Sequence, residues 1–391
     1  MQAYLQVAVS LASPPCVRYT TRPANDSSMI RDMTRAWVEI DLGALTRNAA
    51  RVAAAARVPL LPMIKADAYG LGAVGVARAL EAVDPWGYGV GTIEEGEELR
   101  AAGISRPILV VTPILPETFD AARAAGLRPA LGDRDAIAAW GPSGAPWHLS
   151  IDTGMNRAGV PWREIDAVRE LVARYPPEGA FTHFHSVLRN RASVAEQTQR
   201  FTQALSTLAA RPRLLHAESS AAIEHAAGPS RWDLVRPGIF LYGVGTAAGL
   251  DPQPVVAVRA RIVELRAIRD GDTVSYGATY PPPGSHPEDW PRRIATLPLG
   301  YADGYRRALG NRGWALVHGR RVPVAGAVTM DMTMVDVTDV PCAVGDVVTL
   351  IGRDGDDLLT VQDIARFGHL SPYELLTELH SRLPRIYGDQ P

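Results

Sequence analysis

Lysine is almost missing from this chain. Lysine and arginine together number 40 among 391 residues, and Lys65 is the single lysine. Arginine keeps its proton at any ordinary pH and cannot serve as an amine nucleophile. Amine chemistry is therefore confined to one position. Cysteine is nearly as scarce: Cys16 and Cys342 form neither a disulfide framework nor a metal-ligand spacing, and no metal site is expected. No apolar run approaches the roughly 18 residues that span a bilayer. A formal charge of −2 gives no basis for binding nucleic acid or an anionic membrane. With 47% hydrophobic and 21% charged residues, the chain has the composition of a cytoplasmic globular protein long enough for two domains. Residues 1–33 carry no Lys or Arg before Arg18, unlike a secretory signal. They read as a flexible extension, with Met29 or Met33 as an alternative start and an export signal as the lesser alternative.

The surroundings of Lys65 set it apart from a chance surface lysine. It closes the apolar run Leu60-Leu61-Pro62-Met63-Ile64 and precedes Ala66-Asp67-Ala68-Tyr69-Gly70-Leu71-Gly72, a turn with two glycines. A lysine emerging from a buried strand loses hydration, which lowers its pKa and frees the neutral amine for a Schiff base or a proton transfer.

Short apolar strands alternate with amphipathic helices from about residue 58 to 245. The strands are expected at 60–64, 87–90, 108–111, 129–131, 147–151, 180–184, 213–217 and 239–242, with helices such as 92–102 and 194–210 between them. A doubly wound open sheet shows the same local alternation. The count of eight favours a (β/α)8 TIM-like barrel over residues 34–250. Beyond Asp251-Pro252-Gln253-Pro254 the pattern turns to strands with turn signals at Asp270-Gly271, His318-Gly319 and Gly345-Asp346. A mostly β domain over 251–391 is expected, with a helical piece near 361–367. The strand at 36–41 is a candidate to pair with it.

Barrel chemistry sits at the carboxyl ends of the strands, where Lys65, Arg157, His183, Ser220 and Arg236 fall in this scheme. A lysine amine, aromatic hydroxyls and a phosphate-sized group of Ser220, Gly238 and Ile239 point to pyridoxal 5′-phosphate (PLP). Taken singly, His183 reads as a core histidine, Arg236 as a helix-end charge, Tyr276 as strand packing and Asp303 as a turn residue.

The run from Met63 to Gly72 resembles the cofactor-attachment signature of the bacterial alanine racemases. The likeness continues in order through 152–159, 182–184, 235–242, 274–280 (Val-Ser-Tyr-Gly-Ala-Thr-Tyr), 300–304 (Gly-Tyr-Ala-Asp-Gly) and Met330-Asp331. The resemblance implies that Lys65 holds PLP as a Schiff base and is one of two catalytic bases. Tyr276 matches the other base, supplied by the second subunit of a head-to-tail homodimer with composite sites. His183 and Arg236 match residues linked to that tyrosine, and Arg236 also matches the arginine that meets the pyridine nitrogen. Arg157 matches a residue near the cofactor phenolic oxygen and the substrate carboxylate, with the Met330 backbone as a second carboxylate anchor. Tyr69, Ser220, Gly238, Ile239 and Tyr373 match the phosphate cup, and Tyr301 and Asp331 the substrate entrance. The implied activity is interconversion of L- and D-alanine, supplying D-alanine for peptidoglycan. A broad-specificity amino-acid racemase, a decarboxylase of the same plan and a PLP-carrier protein are the alternatives.

The chain departs from the family at several points. Many members carry a carbamylated lysine seven residues before the arginine matched by Arg157; here that position is Ser150. With no second lysine, no such carbamate can form, and Arg157 is held by another anion, such as chloride, or less firmly. Thr329 stands where cysteine is common, and Leu188 and Ala327 replace polar or charged entrance residues.

Overall fold

The computed structural model describes residues 34–226, 228–246, 249–281 and 290–388. The extension expected over 1–33 lies outside them. Eight parallel segments form a barrel: residues 60–63, then Tyr88–Val90, Ile108–Val110, Arg128–Leu131, His148–Asp152, Gly179–Phe181, Leu214–Ser219 and Leu234–Arg236. The first is held by single bridges, Leu60 to Val235 and Met63 to Gly89, which join the two ends of the sheet. Pro62 has no N–H to donate, so a regular ladder cannot form there. Val90, Ile108, Val110, Leu131, Leu149, Ile151, Ala180, Ala217 and Val235 are all buried and supply the apolar filling.

The eighth strand differs from expectation. Residues 239–242 are a compact turn, with the Leu241 N–H donating to Gly238 O at 2.8 Å and the Tyr242 N–H to Ile239 O at 3.1 Å. The strand is Leu234–Arg236, ended by Pro237. Ile239, Phe240, Leu241 and Tyr242 are each at most 4% exposed. A short run that is buried all round carries no period with which to tell strand from turn. The sixth strand also stops early, at Phe181, so His183 and His185 lie beyond it. The helices expected at 92–102 and 194–210 are Ile93–Ala101 and Arg191–Thr207, capped by Thr92 and Asn190.

The chain then becomes sheet-rich. A seven-stranded sheet runs in the order Arg320–Pro323, Trp314–Val317, Val347–Asp354, Val256–Arg261, Ala36–Asp41 and Arg385–Gly388, with Asp357–Leu359 beside Val347–Asp354. A second sheet joins Glu264–Ile268, Arg292–Leu297 and Thr333–Asp336. The helices Val361–Gly368 and Pro372–Thr377 lie between the last strands in sequence. Ala36–Asp41 precedes the barrel yet pairs antiparallel with Val256–Arg261 and parallel with Arg385–Gly388. It leads into the helix Leu42–Ala56, whose Ala44 N–H is capped by Asp41 Oδ1 at 2.7 Å. Such a cap contributes about 1 kcal/mol.

Candidate active site

Lys65 begins an unusual turn. Ala66, Asp67, Ala68 and Tyr69 all take the left-handed conformation, with φ between 53° and 57°. For L-residues this costs roughly 1–2 kcal/mol each, so neighbouring groups must hold the turn. Glu95 Oε1 accepts from the Ala66 N–H at 2.7 Å and Asp67 Oδ1 from the Ala73 N–H at 2.6 Å. From the last strand, the Arg385 guanidinium donates to Gly70 O at 2.8 Å and the Tyr387 hydroxyl to Leu71 O at 3.0 Å. The Lys65 pKa is lowered, first by burial and then by Arg157, with Glu95 opposing. A larger share of neutral amine at neutral pH follows.

Lys65 opens onto a cavity of about 350 Å³ that is also lined by Ser150, Asp152, Arg157, Thr182 and His183. Arg157 makes no hydrogen bond or ion pair with the described residues. The small Ser150 lies on the same cavity wall. Arg236 is 4% exposed and donates to Thr182 O at 2.7 Å and Ala217 O at 3.1 Å. It also meets His183 Nδ1 at 3.4 Å and His216 Nδ1 at 2.8 Å. Burial pulls the Arg236 pKa down to about 9, which leaves it charged at neutral pH. The His183 pKa falls to about 3, from burial first and then from the charges of Arg236, Arg157 and Lys65. His183 is thus a neutral imidazole. Because Arg236 only donates, Nδ1 is the acceptor and the proton sits on Nε2.

The phosphate-sized group comes together as expected. Ser220 Oγ accepts from the Gly238 N–H at 2.9 Å and the Phe240 N–H at 3.3 Å, so its own hydrogen remains available to a ligand. The N–H of Ile239, a buried residue, donates to no acceptor among the described residues. The ring of Tyr69 lies 6.1 Å from that of Tyr373. A Cβ on Gly238 would come within 2.5 Å of the Tyr69 hydroxyl oxygen. An amine at one end of the barrel mouth and a cradle of unspent donors at the other fit PLP, which is both an aldehyde and a phosphate ester. Overpacking typically costs about 1–3 kcal/mol, so Gly238→Ala is expected to weaken PLP retention about ten- to a hundredfold, measured by equilibrium dialysis.

Tyr276 is not brought to this cavity. It stands in the sheet-rich part of the chain, 71% exposed, on a turn fixed by the Ser275 hydroxyl donating to Ala327 O at 2.6 Å. Tyr301 and Met330 lie together, their neighbourhood joined by the Tyr301 N–H to Thr329 O at 3.0 Å and the Ala302 N–H to Met330 O at 3.0 Å. Both are exposed, as is the Leu188 side chain. Asp331 pairs with Arg382 at 2.8 Å, and Arg382 also lies 3.3 Å from Asp303. Asp303 is fully buried, accepts from the Gly300 N–H at 2.9 Å and pairs with Arg35 at 2.8 Å.

Three residues near the site escape sequence reasoning: Glu95, His148 and His216. Glu95 occupies the third position of a capping pattern after Thr92, yet its carboxylate takes the Ala66 and Gly91 N–H groups instead. His148 and His216 sit on apolar strands, where histidine ordinarily reads as core.

The geometry defines a barrel protein with its one lysine amine opening onto the cavity at the mouth, and a cradle of unspent donors close by. Residues 40–246 match the profile "Alanine racemase, N-terminal domain" and residues 255–387 match "Alanine racemase, C-terminal domain". The chain is 38% identical to the alanine racemase of Symbiobacterium thermophilum, covering 92% of this chain and 98% of that protein. It is 37% identical to that of Deinococcus radiodurans, covering 91% and 100%. Among solved structures, the alanine racemase of Streptomyces coelicolor superposes with a TM-score of 0.84 at 30% identity, covering 91% of this chain and 98% of that one. That of Bartonella henselae, described with covalently bound pyridoxal phosphate, gives 0.81 at 27% identity, covering 90% and 99%. The chain belongs to the alanine racemase family.

Proposed function

We propose that the protein interconverts L- and D-alanine with PLP held on Lys65, as a homodimer in which Tyr276 of one copy completes the site of the other. The observation that carries this reading is the division of the two bases. Lys65 faces the barrel cavity, while Tyr276 is displayed, 71% exposed, on the sheet-rich part of the same chain, with no hydrogen-bond partner among the described residues.

When bound, the pyridine ring supplies the electron withdrawal that makes the substrate Cα–H acidic. Racemisation then needs a proton acceptor on each face of Cα. Lys65 Nζ serves one face, helped by its lowered pKa. Tyr276 Oη serves the other. An ordinary phenol titrates near 10, too high for an efficient base, so it requires a donor beside it. His183 offers its Nε2–H, and the Arg236 charge behind Nδ1 polarises that ring. Since His183 stays neutral down to about pH 3, the pH profile is expected to show no limb from this imidazole near 6.5.

Arg157 and the Met330 N–H orient the substrate carboxylate. Tyr69, Ser220, Gly238, Ile239 and Tyr373 hold the phosphate, and Tyr301 and Asp331 border the way in. The role this serves is supply of D-alanine for peptidoglycan in the cytoplasm. Racemisation followed by circular dichroism, with added PLP, tests the reading across alanine, serine, lysine and arginine. Turnover is expected to favour alanine. Comparable rates on basic amino acids would instead establish a broad-specificity racemase, for which the exposed Leu188 and the small Ser150 would make room.

A further inference from the structure

Arg236 is the upper end of a buried chain of polar groups that crosses the barrel interior. Its NH1 lies 2.8 Å from His216 Nδ1, His216 Nε2 lies 2.8 Å from His148 Nδ1, and His148 Nε2 lies 3.6 Å from Glu178 Oε2. His148 opens its strand and Glu178 precedes the next one, at the amino-terminal floor of the barrel; His216 is midway along its strand; Arg236 ends the eighth. Both imidazoles are fully buried. Gly179 makes the passage, since a Cβ there would come within 2.6 Å of His148 Cε1.

The proton positions follow by elimination. A guanidinium only donates, so His216 Nδ1 accepts and its hydrogen is on Nε2. That hydrogen makes His148 Nδ1 an acceptor in turn, which places the second hydrogen on His148 Nε2, facing the carboxylate. His148 Nε2 has no hydrogen-bond partner in the structure, so Glu178 is what its N–H faces. A charged His216 would set donor against donor at Arg236. Burial, Arg236 and His148 all hold its pKa well below 6.5. Burial would raise the Glu178 pKa, but His148 and Arg128, the latter at 2.6 Å, outweigh it and keep the carboxylate ionised down to about pH 2; Arg213 also pairs with it at 2.9 Å. Aromatic rings pack on both imidazoles: Phe181 stacks on His216 with ring centroids 5.0 Å apart, and Trp86 lies 5.6 Å from His148.

We propose that Glu178, His148 and His216 are positioning residues for Arg236: two directed hydrogen bonds through the imidazoles, with the Glu178 carboxylate facing the far end, fix how the guanidinium is presented. The inference rests on the reading that Arg236 meets the cofactor ring nitrogen. Residues at the floor of a barrel ordinarily serve stability alone, and a purely structural role makes a different prediction. Removing one partner of a buried hydrogen bond leaves the other unsatisfied, at a cost in stability. On a purely structural role His148→Leu would therefore lower stability while leaving kcat and the absorbance of the folded holoenzyme as in wild type.

The proposal expects His148→Leu to fold, because leucine fills the space. It also expects kcat to fall about tenfold or more, with KM for alanine changed less than about twofold, as when a partner behind a ligating group is lost. The visible absorbance band of the bound cofactor should shift as well. His148→Asn, whose carboxamide oxygen can take the place of Nδ1, should restore both. Nitrogen-15 NMR of the histidine-labelled holoenzyme gives the second measurement and needs no activity, so it stands even if the racemase reading fails. It should show His216 as the Nε2–H tautomer, unchanged from about pH 6 to 9. A His216 that carries its hydrogen on Nδ1 or titrates in that range, or a His148→Leu variant with wild-type kcat and spectrum, would overturn the proposal.

Discussion

Lys65→Arg is expected to abolish racemisation, by roughly 10⁴-fold or more. On the function proposed above two roles are lost together, since the same amine would anchor the cofactor and serve as one of the bases. Arginine preserves the positive charge and most of the aliphatic stem, so an effect of charge alone is separated from loss of a deprotonatable amine. No other residue can stand in, because Lys65 is the one lysine of the chain. Measured turnover within tenfold of wild type, with PLP supplied, would refute the role given to Lys65.

Tyr276→Phe should lower racemisation by about 10²–10⁴-fold. The loss in kcat/KM must be equal in the two directions, because no substitution in an enzyme alters the equilibrium between enantiomers. The two faces separate instead in isotope exchange. With Lys65 intact, solvent deuterium is expected to enter Cα of one enantiomer without inversion, while exchange into the other is lost. Co-expression of Lys65→Arg with Tyr276→Phe adds a test of the composite site. Half of randomly paired dimers would then hold one site with both bases, so about a quarter of wild-type activity should return. Mixtures no more active than their parents would place both bases on one chain.

Much of this plan was legible from the residues. The apolar run ending at Lys65 and the recurrence of short strands indicated a barrel, and the structure brings Tyr69 and Ser220 against Gly238, residues that the sequence grouped at the strand ends. The failures have physical causes. Residues 239–242 are buried on every side, which removes the alternation that marks a strand. Glu95 follows a capping pattern but is taken by the N–H of Ala66, a contact 29 residues away in sequence that no local rule registers. His148 and His216 become interpretable only once the barrel brings their strands together. Direction in their hydrogen bonds then comes from Arg236, which cannot accept. The left-handed run from Ala66 to Tyr69 was also invisible, because alanine and tyrosine carry no preference for positive φ, and the one aspartate among them does not announce a run of four.

Borohydride reduction of the PLP-loaded protein, followed by proteolysis and mass spectrometry, bears most directly on the covalent role of Lys65. Reduction should fix one cofactor per chain on the peptide spanning Ile64 to Gly72, and none on the Lys65→Arg protein. An actively racemising, PLP-loaded protein that emerges from reduction with Lys65 unmodified would contradict the account.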